Sequence, residues 1–251
     1  MSSPTAEAPL LLALDTASPT VSVALARGRE LLGTRSMAME RSSMQLLGLV
    51  REVLTDAGAR PADLGGVVAL RGPGSFTGVR IGLATVLGLH QALGMPATAL
   101  DTLRVLAASC GEGPGVRGIL AVVDALRGDW SAQAFTAEPL PRPLGSDLLI
   151  PGQEIPTLVP GNPMDWIVTG FGVSRLAELP DWPPELRLVE AGPLAAAAVR
   201  LAADPELAWD ASLLTAPLYA RPPAVTLPNA RKSPRKSPRK SPPRSQEAPC
   251  P

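Results

Sequence analysis

Lysine is absent from the first 231 residues of this 251-residue chain, and Lys232, Lys236 and Lys240 are all it has. Histidine is almost as scarce, and the single His90 excludes a metal centre built on several imidazoles. The cysteines, Cys110 and Cys250, stand far apart in sequence, which excludes a disulfide framework and a cysteine-rich zinc site. Aromatic residues make up 3% of the chain, too few for a platform on which nucleic-acid bases stack. No apolar run approaches the roughly 20 residues of a membrane helix. Residues 1–9 carry no basic side chain and the apolar run 10–14 is short for a secretory signal, so the expected location is the cytoplasm, away from membranes.

What is present is 45% hydrophobic residues, enough for one two-lobed domain or two small ones. The formal charge is zero, with 23 basic and 23 acidic residues, but it is unevenly laid out. Seven of the basic residues and only Glu247 of the acidic ones fall in 231–251, a net +6, which leaves 16 basic against 22 acidic before them, a net −6. From about Pro222 the sequence turns to Pro, Ser, Lys and Arg, and the unit Arg-Lys-Ser-Pro repeats from Arg231 with period four. Proline at every fourth place forbids a helix, and like charges with no apolar partner cannot build a core. This predicts a disordered basic tail over 222–251. It reads either as a solvated extension or as an electrostatic ligand for phosphate backbones.

The body reads as two successive halves. The apolar run 10–14 ends at Asp15, 20–26 alternates, Arg27-Gly-Arg29 is a turn and 30–37 a returning strand, which together make an antiparallel meander. Met44, Leu47, Val50 and Leu54 recur at helical spacing between a capping Ser42 or Ser43 and a terminating Gly58. A buried-type strand at 66–70 leads through a glycine-rich loop into a helix over about 79–93, a strand at 97–100 and a helix from Thr102. The order predicts a mixed sheet whose first three strands are antiparallel and whose later ones join in parallel through helices. After a Gly/Pro-rich boundary at 111–118 a weaker series follows. It comprises strands at 119–123, closed by Asp124, and at 130–136, an irregular Pro-rich stretch at 137–163, a strand at 166–169 and a short helix at 173–179. The expected layout is a flexible 1–9, a first lobe over 10–110 completed by a helix within about 190–215, and a smaller second lobe over 111–190.

The loop between strand and helix carries Gly72, Gly74 and Gly78. A glycine-rich turn at a helix N-terminus can offer backbone N–H groups to a phosphate. Its spacing matches neither the dinucleotide fingerprint nor the phosphate loop that ends in Gly-Lys-Ser/Thr, so geometry alone is the competing reason for these glycines. Asp15, Gly72, Gly74 and Ser75 are the candidate nucleotide-binding residues.

The full string Gly72-Pro73-Gly74-Ser75-Phe76-Thr77-Gly78-Val79-Arg80-Ile81-Gly82 closely resembles the signature of the TsaB (YeaZ) family. Leu12-Ala-Leu-Asp-Thr16, Leu83-Ala-Thr, Ala92-Leu-Gly-Met-Pro96, Val123-Asp-Ala125 with Arg127-Gly128, and Ala216-Pro-Leu-Tyr219 with Arg221 resemble its other landmarks in order and spacing. The resemblance covers about 10–221. It implies a two-lobed actin-like/ribonuclease H-like α/β fold of duplicated βββαβα topology. It also implies a non-catalytic subunit of the pathway that makes threonylcarbamoyladenosine next to the tRNA anticodon. Such a subunit binds and orders a TsaD-type threonylcarbamoyltransferase, a TsaE-type ATPase joins the complex, and tRNA is engaged only indirectly. ATP and metal then belong to those partners, and this chain needs no cofactor. The implied contact uses helices 43–57 and 79–93, with Met44, Leu47 and Val50 as interface candidates. Where many members read His-Ser-Glu before the first long helix, this chain has Ser42-Ser-Met44.

The resemblance places the metal-binding His-x-x-x-His of the catalytic paralogue at Thr102 and Leu106, neither of which can ligate a catalytic divalent cation. One histidine also leaves no Ser/His/Asp set, and His90 reads as a packed or capping side chain. Asp15 and Asp124 read first as turn-capping residues. Two alternatives stay open: an ATP-binding enzyme of the same fold acting on a small substrate, and a homodimeric scaffold outside tRNA modification.

Overall fold

The computed structural model describes residues 8–38, 42–110 and 115–221, with backbone only over 42–44. The tail, the first seven residues and the Met44 side chain lie outside the described residues.

The first half opens with strands β1 (Leu10–Asp15), β2 (Thr20–Arg27) and β3 (Glu30–Ala38), an antiparallel meander. Helix α1 (Ser42–Asp56) leads to β4 (Gly66–Leu70), helix α2 (Phe76–Leu93) to β5 (Ala97–Leu100), and helix α3 (Thr102–Ser109) closes the half. Strands β4 and β5 join in parallel, and the sheet order is β3-β2-β1-β4-β5. The second half repeats the plan. Strands β6 (Gly118–Asp124), β7 (Asp129–Thr136) and β8 (Leu148–Pro151) form the meander, and β9 (Trp166–Gly170) and β10 (Arg187–Glu190) add in parallel. Helix α4 (Ala195–Ala202) ends it. Read from its third strand, the second sheet runs β8-β7-β6-β9-β10, the same order as the first.

The crossovers β3–α1–β4 and β4–α2–β5 move the same way across the first sheet. Both being right-handed, they set α1 and α2 on one face. The closing helices change places: α4 packs on β1 and β2, while α3 packs on β6, β7 and α4. Helix α3 is buried on nearly every side, from Thr102 and Leu103 to Ala108. The main core therefore includes Ile119, Ala121 and Phe135 of the second half, and a smaller core gathers round Trp130, Ile155 and Trp166.

Several boundaries differ from expectation. Helix α2 starts at Phe76, three residues before the apolar periodicity begins, because the Ser75 hydroxyl accepts the Gly78 N–H at 3.2 Å and caps it. The stretch expected to be irregular holds β8 and a 3-10 turn at Gly152–Leu158. Strand β10 was not expected, since Arg187 and Glu190 bracket only two apolar residues. The expected helix after β9 is a 3-10 turn, Val173–Glu178.

Candidate functional site

The glycine loop is bonded to residues far from it in sequence. Ser75 N–H donates to the Ala17 carbonyl at 2.8 Å, Thr102 N–H to the Gly72 carbonyl at 2.9 Å, and Leu218 N–H to the Arg71 carbonyl at 2.7 Å. The Thr16 hydroxyl donates to the Gly78 carbonyl at 2.6 Å. A Cβ on Gly72, where φ is +104°, would overlap the Leu218 carbonyl oxygen. One on Gly74 would overlap the Ala17 carbonyl, and one on Gly82 the Thr16 hydroxyl. Gly72 and Gly74 thus let two distant stretches of backbone approach the loop, and Gly82 leaves room on α2 for the Thr16 side chain. Pro73 is buried, and Thr77 stands exposed on the first turn of α2. The Arg80 guanidinium lies 3.7 Å from the Phe76 ring centre and donates from Nε to the Tyr219 hydroxyl at 2.9 Å.

The loop forms one wall of a cleft between the lobes. A cavity of about 330 Å³ lies among Gly74, Ser75, Thr102, Asp124, Phe171 and Arg175. A second of about 300 Å³ shares Gly74, Ser75 and Asp124 and reaches Phe76, Leu126 and Tyr219. The two strand-closing aspartates differ in kind. Asp15 is fully enclosed: one carboxylate oxygen accepts the Ala17 and Ser18 N–H groups at 2.9 and 3.2 Å, and the other meets no hydrogen-bond donor among the described residues. Burial pushes its carboxyl up to about 6, against the pull of those donors. Asp124 accepts the Leu126 N–H at 2.7 Å and the Arg175 guanidinium at 2.9 Å. Both residues turn back on an N–H two positions ahead, so the duplication extends to the turn after the first strand.

The donor set does not suit a divalent cation, which requires several oxygen or nitrogen ligands facing one point. Asp15 is sealed off, Asp124 is held by Arg175, and no group of three His, Cys, Asp or Glu among the described residues can hold a metal. His90 bonds through Nδ1 to the Met95 carbonyl at 2.7 Å, beyond the C-terminus of α2. Thr102 and Leu106 are both buried within α3.

On the outer face, α1 buries Leu46, Leu49, Val50, Val53 and Leu54, an i, i+3, i+4, i+7, i+8 stripe. Leu47 falls off that stripe and is 61% exposed, whereas Val50 belongs to the core and cannot present itself to a partner. Along α2, Thr77, Arg80, Ala84, Gly88 and Gln91 form an exposed row with one charge. The ion-pair partners Arg175 and Asp129 were not legible as site residues. Each meets a group at least 51 positions away, and nothing in the local pattern signals that.

Two five-stranded mixed sheets of identical order, closed by exchanged helices, define a two-lobed α/β protein of the actin-like, ribonuclease H-like class. A family model described as TsaD, tRNA N6-adenosine threonylcarbamoyltransferase, matches residues 36–136. Proteins named tRNA threonylcarbamoyladenosine biosynthesis protein TsaB from Escherichia coli (strain K12) and Bacillus subtilis (strain 168) are 33% and 34% identical over 119 residues. Those matches take in 47% of this chain and 52% and 51% of the relatives, so the chain spans about half the length of the curated relatives it matches. The structure of YeaZ from Pseudomonas aeruginosa superposes with a TM-score of 0.67 at 29% identity, covering 77% of this chain and 90% of that one. A crystal structure titled as an uncharacterized protein with similarity to peptidase YeaZ from Pseudomonas aeruginosa superposes at 0.72 and 30% identity, covering 85% of this chain and all of that one. The chain belongs to the TsaB (YeaZ) family. No helix among its described residues is long and apolar enough to cross a membrane.

Proposed function

We propose that this protein is a non-catalytic subunit in threonylcarbamoyladenosine formation on tRNA, binding and ordering a TsaD-type threonylcarbamoyltransferase through the outer face of α1 and α2. The observation that carries the reading is the outward Leu47 of α1, together with the nearly uncharged exposed row of α2. Leaving such a leucine in water forgoes about 2 kcal/mol of burial, which a partner helix can recover. The sealed Asp15, the arginine-held Asp124 and the buried Thr102 and Leu106 support assigning the chemistry, with its ATP and metal, to the partner. A TsaE-type ATPase completes the proposed assembly, with tRNA held by the partner.

Reconstitution tests this. Modified tRNA should form from partner, ATPase, ATP, threonine and bicarbonate only when this protein is added, and full modification in its absence would overturn the proposal. Leu47→Glu should abolish co-purification with the partner while leaving the far-UV circular dichroism and melting temperature unchanged, because the side chain lies outside the core. One observation favours a second reading, an ATP-binding enzyme: the cavity of about 330 Å³ beside Ser75 and Asp124. Calorimetric titration with ATP and Mg²⁺ separates the two, since tight binding with phosphate release belongs to the second alone.

A further inference from the structure

The glycine loop and the segment 216–221, far apart in sequence, meet at the cleft. After the 3-10 turn Ala211–Thr215, which packs on β5 and α2, the chain is tied to the first lobe twice. Leu218 N–H donates to the Arg71 carbonyl at 2.7 Å, and Gly72 lacks a side chain where the Leu218 carbonyl oxygen comes in. The Tyr219 hydroxyl accepts from Arg80, and its ring centre lies 4.8 Å from that of Phe76. Two residues later the attachment changes lobe: Arg221 donates to the Leu126 carbonyl at 3.4 Å and pairs with the Asp129 carboxylate at the start of β7. The Arg221 and Asp129 side chains are 33% and 32% exposed, so water screens the pair only in part.

We propose that residues 216–221 are a strap holding the two lobes at a fixed separation across the cleft, with Arg221–Asp129 as its fastening on the second lobe. Helices α3 and α4 join the lobes where Thr102 bounds one cavity; the strap joins them again where Tyr219 and Arg221 wall the adjoining one. Two connections at different places along a cleft suppress the hinge that either would allow alone. A segment that merely anchored the end of the first lobe would need Leu218 and Tyr219, but would have no use for a bond to Asp129. The proposal goes beyond the subunit reading and stands or falls separately from it.

The test is a spin-label distance measurement on the full chain with Cys110→Ser and Cys250→Ser, labelled at Arg29→Cys and Asp147→Cys, one exposed site on each lobe. The parent should give one narrow distance distribution. Arg221→Ala and Asp129→Ala should each broaden it and shift it to longer distances, and the exchange Arg221→Asp with Asp129→Arg should narrow it again. Circular dichroism checks that every variant is folded. Where Arg221→Ala does not fold, Arg221→Lys and Tyr219→Phe are measured instead and should broaden the distribution to a smaller degree. Distributions that stay as narrow as the parent's in the folded variants, or broadening that the exchange leaves uncorrected, would overturn the proposal.

Discussion

Asp15 sits in the first sheet with its carboxyl raised to about 6 by burial, and that displacement has a definite sign in stability. The folded carboxyl holds its proton to a higher pH than the unfolded one, whose ordinary value is 3.8. The contribution to stability is therefore complete below about pH 4 and declines as pH rises through about 6. Asp15→Asn keeps an oxygen for the Ala17 and Ser18 donors and cannot ionise. In urea melts its stability relative to the parent should improve from pH 4 to pH 8 by on the order of 3 kcal/mol. Parallel pH profiles for the two would count against the buried-carboxylate account. The sequence placed Asp15 and Asp124 correctly at strand ends and as turn caps. It could not say that one is sealed and the other held by Arg175, because burial and a partner 51 residues away are properties of the assembled fold.

Among the elements, α1 was legible because apolar residues recur at helical spacing, although the stripe that is buried runs through Leu46, Leu49, Val50, Val53 and Leu54 and leaves out the Leu47 that the spacing selected. Strands β1 and β4 were legible because short apolar runs end in turn residues. Strands β8 and β10 were not: β8 lies inside a proline-rich stretch and β10 has only Leu188 and Val189 between charged ends, whereas β5, equally short, is free of charge and follows directly on Pro96. The glycines of the helices make a sharper comparison. Gly48 of α1 and Gly88 of α2 have nothing within 4 Å of a built Cβ, whereas Gly82 of α2 would meet the Thr16 hydroxyl. Gly48→Ala and Gly88→Ala should each stabilise the isolated protein by up to about 1 kcal/mol through helix propensity alone. Gly82→Ala should destabilise it by on the order of 2 kcal/mol despite the same propensity gain, because the methyl forces Thr16 from its bond to Gly78. Urea midpoints at equal slope measure all three, and a stabilising Gly82→Ala would refute the packing account. Gly48→Ala and Gly88→Ala also add methyl groups to the proposed partner face, so partner retention should fall while stability rises.

At the scale of the whole molecule, the exchange of α3 and α4 means that neither sheet completes its own core. The three described tryptophans of the second half, Trp130, Trp166 and Trp182, pack in or against the smaller core, while Trp209 packs with the first. Tryptophan emission therefore reports mainly on the second lobe, and far-UV circular dichroism on both. Because α3 belongs to both lobes, the two signals should trace one coincident urea transition. Separate midpoints would show that the lobes unfold as independent units. The duplication was only half visible in sequence, since its second copy replaces the intervening helices with 3-10 turns and keeps only the strands and the closing helix. The burial of α3 also limits what its positions can accept. The two positions where the resemblance sets metal-binding histidines, Thr102 and Leu106, are 1% and 0% exposed, the first bordering the cleft cavity and the second within the core. An imidazole in place of Leu106 has no room beside its packed neighbours, so Leu106→His should cost stability whether or not a metal is supplied. A histidine placed at Leu106 would thus be felt by both lobes at once, since α3 packs against the second sheet and against α4 alike.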